Sequence, residues 1–257
     1  VCGTRDRVGE CPVWSVAEQA LYWVDIEGRH IHRYDWKGQS QRTWNTAERV
    51  GCIALTDVHS PQAVLLAAME TGIFRVVLGP STDVVATLVA PVLHPRVNMR
   101  FNDGRCDRQG RLWVSTMCMD MAQAAQVGGV YCLDETGLGS PKMDGLITPN
   151  GMAFSPDDQK IVTASDDGMI RIWDASNISD EHEVWDDKSM SMLRQLAGHG
   201  KEVVTAEFSP DGKRIVSASE DLTARVWYAE SPPEIYLVLK EDHTLLSASF
   251  SPDGRRI

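Results

Sequence analysis

The 257 residues suffice for one all-β domain or two smaller ones, and a hydrophobic share of 43% is ordinary for a globular protein. A formal net charge of −11 argues against nucleic acid as a partner, because phosphate binding needs clustered Lys and Arg. No apolar run approaches ~18 residues, and no basic stretch followed by an apolar one opens the chain, so a cytoplasmic monomer with neither membrane span nor secretion signal is expected.

Strand signals follow one another along the chain as short alternating apolar runs bounded by Gly, Asp and Pro. Leu21–Asp25 and Ile31–Asp35 read as a hairpin around Gly28. Weaker pairs follow at Val64–Ala68 with Gly72–Val76, and at Leu112–Thr116 with Gly129–Leu133. Ile161–Ser165 with Ile170–Asp174, then Ile215–Ser219 with Thr223–Trp227, repeat the first pattern closely. Ser176–Met192, with its acidic runs, reads as a solvated loop at a sheet edge.

Six such units fit at about 43 residues each, the length of a propeller blade. The expected fold is therefore all-β: one six-bladed β-propeller domain over residues 1–257. Ser251–Ile257 continues in pattern into Val1–Asp6, so the two chain termini are expected to close the sixth blade. All six cysteines (Cys2, Cys11, Cys52, Cys106, Cys118 and Cys132) lack a C-x-x-C spacing. They are expected as small buried hydrophobes in a reducing compartment, with a Cys118–Cys132 disulfide as the alternative.

Aligning the innermost strands on their turns puts Glu10, Gly51, Asn102, Asn150, Val204 and Leu246 in one column, where each strand meets the central funnel. Converging oxygen side chains there suit a hard divalent cation such as Ca²⁺. The competing reading has a solvated Glu10 and two Asn side chains engaged in turns.

Residues 1–154 resemble the gluconolactonase family that includes regucalcin. The resemblance rests on Gly9-Glu10-Cys11-Pro12-Val13-Trp14, Trp23-Val24-Asp25, Arg100-Phe101-Asn102-Asp103-Gly104, Gly110-Arg111-Leu112-Trp113 and Pro149–Asp157. It implies a six-bladed propeller that hydrolyses sugar lactones with one divalent metal ion. By resemblance Glu10 and Asn150 match two metal ligands, and Arg100 and Asn102 match residues that contact substrate. The family's third ligand, an Asp that also serves as base, falls at Val204, which has no lone pair. The metal, Ca²⁺ or Zn²⁺, is accordingly expected to bind weakly. Glu202 lies two residues away on the same strand.

Residues 155–257 resemble WD-repeat propellers, through Phe154-Ser155-Pro156-Asp157, Trp173-Asp174, Gly198-His199, Phe208–Gly212 and Phe250–Gly254. The resemblance implies a structural hydrogen-bonded tetrad of His199, Asp221, Trp227 and either Ser217 or Ser219. Trp36, Trp44 and Trp185 read as blade packing. No cluster of side chains marks a protein-docking face, and no specific partner is expected.

The change of pattern at 150–158 leads to the expectation of an engineered or recombined chimera with a scaffold role, no efficient activity and a residual metal half-site. The alternatives are a metal-dependent sugar-lactone hydrolase and a WD-type interaction module.

Overall fold

The computed structural model describes residues 5–56, 63–123, 125–176, 190–230 and 235–257. The first sheet is a four-stranded antiparallel meander of β1 (Gly9–Ser15), β2 (Ala20–Asp25), β3 (His30–Asp35) and β4 (Ser40–Asn45). The second repeats it with β5 (Cys52–Leu55), β6 (Ala63–Ala68), β7 (Gly72–Leu78) and β8 (Val85–Pro91). The third contains β9 (Met99–Cys106), β10 (Leu112–Cys118), β11 (Gly128–Asp134) and the short β12 (Gly137–Leu138), with β13 (Met143–Leu146) also paired to β11.

The fourth sheet is β14 (Pro149–Phe154), β15 (Lys160–Ser165), β16 (Ile170–Asp174) and β17 (Met192–Leu196). The fifth is β18 (Val203–Phe208), β19 (Arg214–Ser219), β20 (Thr223–Tyr228) and β21 (Ile235–Lys240). The only helix among the described residues is a single 3₁₀ turn at Met121–Gln123. No helix among them is long and apolar enough to cross a membrane.

Position within a sheet decides which sequence pattern each strand carries. Central β10 (LWVSTMC) is buried at every residue, which a strand covered on both faces requires. Edge strand β21 (IYLVLK) is exposed at every residue. The chain divides into two compact units, Val1–Met121 with Cys132–Gly139, and Ala122–Tyr131 with Ser140–Ile257. The first unit buries Tyr22, Val24, Ile31, Trp44 and Leu65 in one cluster. The second buries Val162, Ile172, Phe208, Ile215 and Trp227 in another.

Several sequence expectations change. The described residues form five sheets, and no strand occurs in 242–257, where the sixth blade was expected. That segment keeps the turn chemistry of Ser251, whose N–H donates to the Arg256 carbonyl at 2.9 Å, but lacks the hairpin that would make a sheet. Cys11, Cys52, Cys106, Cys118 and Cys132 are all free thiols, so Cys118–Cys132 is not a disulfide, and Cys106 is exposed rather than buried. Trp44 is buried, but Trp36 is 63% exposed and meets Trp14 and Tyr34 edge-on at the surface. Cys2, Trp185 and the acidic runs in 177–189 lie outside the described residues.

Candidate functional site

Four inner strands carry a β-bulge at or beside the residue assigned to the column. In β1 the two residues between Glu10 and Val13 oppose the single residue between Val24 and Tyr22. In β14 Asn150 to Ala153 opposes Ala164 to Val162 in the same way. In β9 the extra residue lies between Phe101 and Gly104, alongside Asn102, and in β18 it is at Val204, between Val203 and Thr205. A bulge breaks the ladder and re-aims one side chain, which is why bulges gather at working sites.

Glu10 and Asn150 share a second feature. The residue after each has a left-handed backbone, with φ of 51° at Cys11 and 54° at Gly151. Glycine takes that conformation freely, whereas Cys11 holds it at a steric cost that the surrounding structure must impose. The cysteine is fixed by its neighbours: its Sγ accepts the Ile53 N–H at 3.3 Å.

Glycines let the inner strands approach each other within each unit. A Cβ added at Gly51 would sit 2.4 Å from the Phe101 carbonyl oxygen and 2.6 Å from that of Asn102. In the second unit a Cβ at Gly151 would fall 2.5 Å from Thr205 Cα. These approaches set Gly51 beside Asn102, and Asn150 beside the Val204 bulge.

In the first unit Arg100 and Asn102 are both buried and joined, the guanidinium donating to Asn102 Oδ1 at 2.9 Å and to the Phe101 carbonyl at 2.8 Å. Burial pulls the guanidinium below its usual range, while Glu27, Glu70 and Glu10 favour its charge. Glu10 is open to solvent, yet it stands on a wall dense in protein atoms. Lost hydration pushes its carboxyl up, the charge of Asp103 adds to this, and Arg100 opposes it. The site in this unit is thus a carboxyl of raised proton affinity near a buried guanidinium–carboxamide pair.

In the second unit Asn150 is half-buried and registers with Ala164. Val204 is half-buried hydrocarbon, and its neighbour Thr205 has a buried Oγ1 with no hydrogen bond. Glu202 is hydrogen-bonded to Glu220, which raises its carboxyl. Burial lifts Asp166 to about 6, with Glu220 and Asp167 adding to the rise. Leu246 is 70% exposed and lies in no strand.

His199 Nδ1 lies 2.9 Å from Asp221 Oδ2 and its Nε2 lies 2.7 Å from Ser217 Oγ. Ser217 Oγ also accepts the Trp227 indole N–H at 2.9 Å, whereas Ser219 Oγ instead donates to the Glu202 carbonyl. His199, Asp221, Ser217 and Trp227 are thus one connected group inside the fifth sheet, tying its strands together.

The donor set bears on a metal ion only in part. Glu10 and Asn150 offer the oxygen atoms that a hard cation takes, and Val204 offers none. Among the described residues no group of three or more His, Cys, Asp or Glu side chains is arranged to hold a metal ion. Sequence reasoning overlooked Asp103, Glu27 and Glu70 as the charges around Glu10 and Arg100, and it overlooked the bulges. The Asn150-Gly151 dipeptide was the one legible sign of a left-handed turn there.

Comparison with known proteins places the whole region in one family. The SMP-30/Gluconolactonase/LRE-like region matches residues 8–230 without a break. The chain is 34% identical over 150 residues to a 6-deoxy-6-sulfogluconolactonase of Pseudomonas putida, covering 58% of this chain and 48% of that protein. It is 32% identical over 170 residues to an L-arabinolactonase of Azospirillum brasilense, covering 65% and 53%. The chain thus spans about half the length of the relatives it matches.

Among solved structures, a calcium-binding regucalcin from Agrobacterium tumefaciens superposes with a TM-score of 0.70 at 18% identity, covering 90% of this chain and 74% of that one. The WD40 β-propeller domain of Doa1 superposes with a TM-score of 0.62 at 16% identity, covering 96% and 73%. At such identities the likeness is one of fold, a propeller-like arrangement of antiparallel sheets. The expectation of an engineered chimera is overturned, because a single family match spans 150–158 and relatives such as these are named lactonases. This chain belongs to the SMP-30/Gluconolactonase/LRE-like region family.

Proposed function

We propose that this chain is a metal-dependent hydrolase of sugar lactones, built on a six-bladed propeller plan. The observation that carries the reading is the matched backbone at Glu10-Cys11 and Asn150-Gly151: a bulge with a left-handed residue following each oxygen-bearing side chain. Backbone strain held at a cysteine is most readily understood where a side chain must be aimed. The lactonase relatives support the substrate class.

By family resemblance Glu10 and Asn150 are each a candidate ligand of a divalent ion, which when bound would polarise the lactone carbonyl and lower the pKa of water. The raised carboxyl of Glu10 favours this role, since a nearby cation relieves both its lost hydration and the repulsion from Asp103. Arg100 and Asn102 are the residues that would orient the lactone. The guanidinium, already fixed on Asn102 Oδ1, has further N–H groups for a ring or carbonyl oxygen. Val204 can neither ligate nor accept a proton, so in this chain the attacking water must lose its proton to another acceptor.

The test is hydrolysis of glucono-1,5-lactone followed by acid release, with Ca²⁺, Zn²⁺ or Mn²⁺ supplied in turn. Metal-stimulated turnover should fall about 100-fold or more in Glu10→Gln and rise in KM in Arg100→Gln. Turnover equal to the uncatalysed rate with every metal, or unchanged in Glu10→Gln, would refute the reading.

A further inference from the structure

The first unit contains a cleft of about 420 Å³, within the size range of small-molecule sites. It lies at the end of the first sheet where Gly9, Asp25 and His30 are register neighbours. Its polar walls include Arg5, Asp6, Arg7, Asp25, His30 and His32.

The acidic groups in the cleft are already engaged. Asp25 accepts three backbone N–H groups, from Arg7 and Val8 at 3.1 Å and from Gly28 at 3.0 Å. Asp6 accepts the Trp23 indole N–H at 2.8 Å. Glu27, also on the wall, is paired with Arg49 at 2.9 Å.

The arginines of the cleft are uncommitted. Among the described residues the guanidinium groups of Arg5 and Arg7 have no partner, and the His30 ring meets His32 edge-on and lies within electrostatic reach of Asp25. His32 is 2% exposed and stacks on Trp23. Its Nδ1 meets Thr43 Oγ1 at 2.8 Å, but its buried Nε2 has no hydrogen bond, although Asp6 Oδ1 is 3.3 Å away. A buried nitrogen without a partner costs free energy that a ligand can recover. The free hydrogen-bonding capacity of the cleft is therefore mostly the N–H donors of its two guanidinium groups, which complement an oxyanion.

We propose that this cleft binds a small oxyanion, held by Arg5 and Arg7 at its mouth and by the two imidazoles at its floor. Two sources offer that chemistry: the carboxylate of a hydroxy acid, and a phosphate group. The site is independent of the lactonase reading, since none of its cationic residues is assigned to the column.

The experiment is calorimetric titration of the full chain with gluconate and, separately, inorganic phosphate, with the ring ¹⁵N signals of His30 and His32 followed by NMR. At least one anion is expected to saturate and to shift both imidazoles. Arg5→Gln and Arg7→Gln should each weaken it about tenfold, one charge-assisted contact apiece, while Arg29→Gln should not. Saturation by gluconate alone identifies a carboxylate site, and by phosphate alone a phosphate site. Failure of both anions to shift the histidines, or unchanged affinity in both arginine variants, would overturn the proposal. Because the readout is at the imidazoles, it is unaffected by whether lactone is hydrolysed.

Discussion

The two units bury tryptophans in similar strands but satisfy their indole N–H groups differently. In the second unit Trp173 donates to Thr163 Oγ1 at 3.0 Å and Trp227 to Ser217 Oγ at 2.9 Å, each partner ten residues back across a hairpin. In the first unit Trp23 donates to Asp6, Trp44 to the Gly79 carbonyl, and Trp113 to Asp107. The second unit repeats one device, and the first finds a new partner each time. A buried indole needs some acceptor, but the fold does not dictate which. The bulges at Glu10 and Asn150, by contrast, are shared by both units. Resemblance in the packing devices therefore reports local chemistry, while the shared bulges are what the proposed site rests on.

The comparison sharpens into expected losses. Trp113→Ala and Trp227→Ala, both fully buried, should each cost about 3–5 kcal/mol in urea unfolding despite their different partners. A large gap between the two would mean that the polar clamp, not the packed ring, carries the stability. Gly151→Ala forces a left-handed alanine into Thr205 Cα and should cost about 2 kcal/mol or more. Gly51→Ala clashes with the Phe101 and Asn102 carbonyls but needs no left-handed backbone. The same unfolding series should therefore rank it below Gly151→Ala.

Two carboxyls in the second unit should respond to pH in opposite senses. Burial alone would raise Asp221, but hydrogen bonds from Thr223, the Gly200 N–H and His199 hold it well below the ordinary range. Its contribution is present above the unfolded value of 3.8 and is lost as pH falls through the lower folded value. Asp221→Asn should cost about 1–3 kcal/mol at neutral pH and weaken the acid limb of the stability profile. Asp166, lifted to about 6, favours the folded state below 3.8, and that advantage is lost as pH rises to about 6. Asp166→Asn should flatten the fall in melting temperature across that window. The smallest change belongs to the exposed Lys160–Glu230 pair at 3.2 Å, where Glu230→Gln should shift stability by less than about 0.5 kcal/mol.

Much of the fold was legible because each hairpin writes its own signal. Leu21–Asp25, Ile161–Ser165 and Ile215–Ser219 lie inside observed strands that begin one residue earlier. The supposed boundary at 150–158 was misleading for a physical reason. Ser155, Ser209 and Ser251 all make one turn, each Oγ donating to an Asp two residues on and accepting the N–H five residues on. That turn is local chemistry repeated at three places in this chain, so its presence after 150–158 does not by itself mark a boundary. The column was legible as spacing, but the bulges that aim it are products of strand pairing. Nothing in Glu10-Cys11 announces a left-handed cysteine, whereas Asn150-Gly151 does.

The lactonase reading proposes Glu10 and Asn150 as metal ligands. Its most direct test is calorimetric titration of Ca²⁺ and Zn²⁺ into the wild-type chain, Glu10→Gln, Asn150→Ala and Val204→Asp. One ion should bind per chain, more weakly by about tenfold or more in the first two variants and more tightly in Val204→Asp, which adds a carboxylate ligand. Binding that is absent in the wild type, or indifferent to Glu10 and Asn150, would contradict the account.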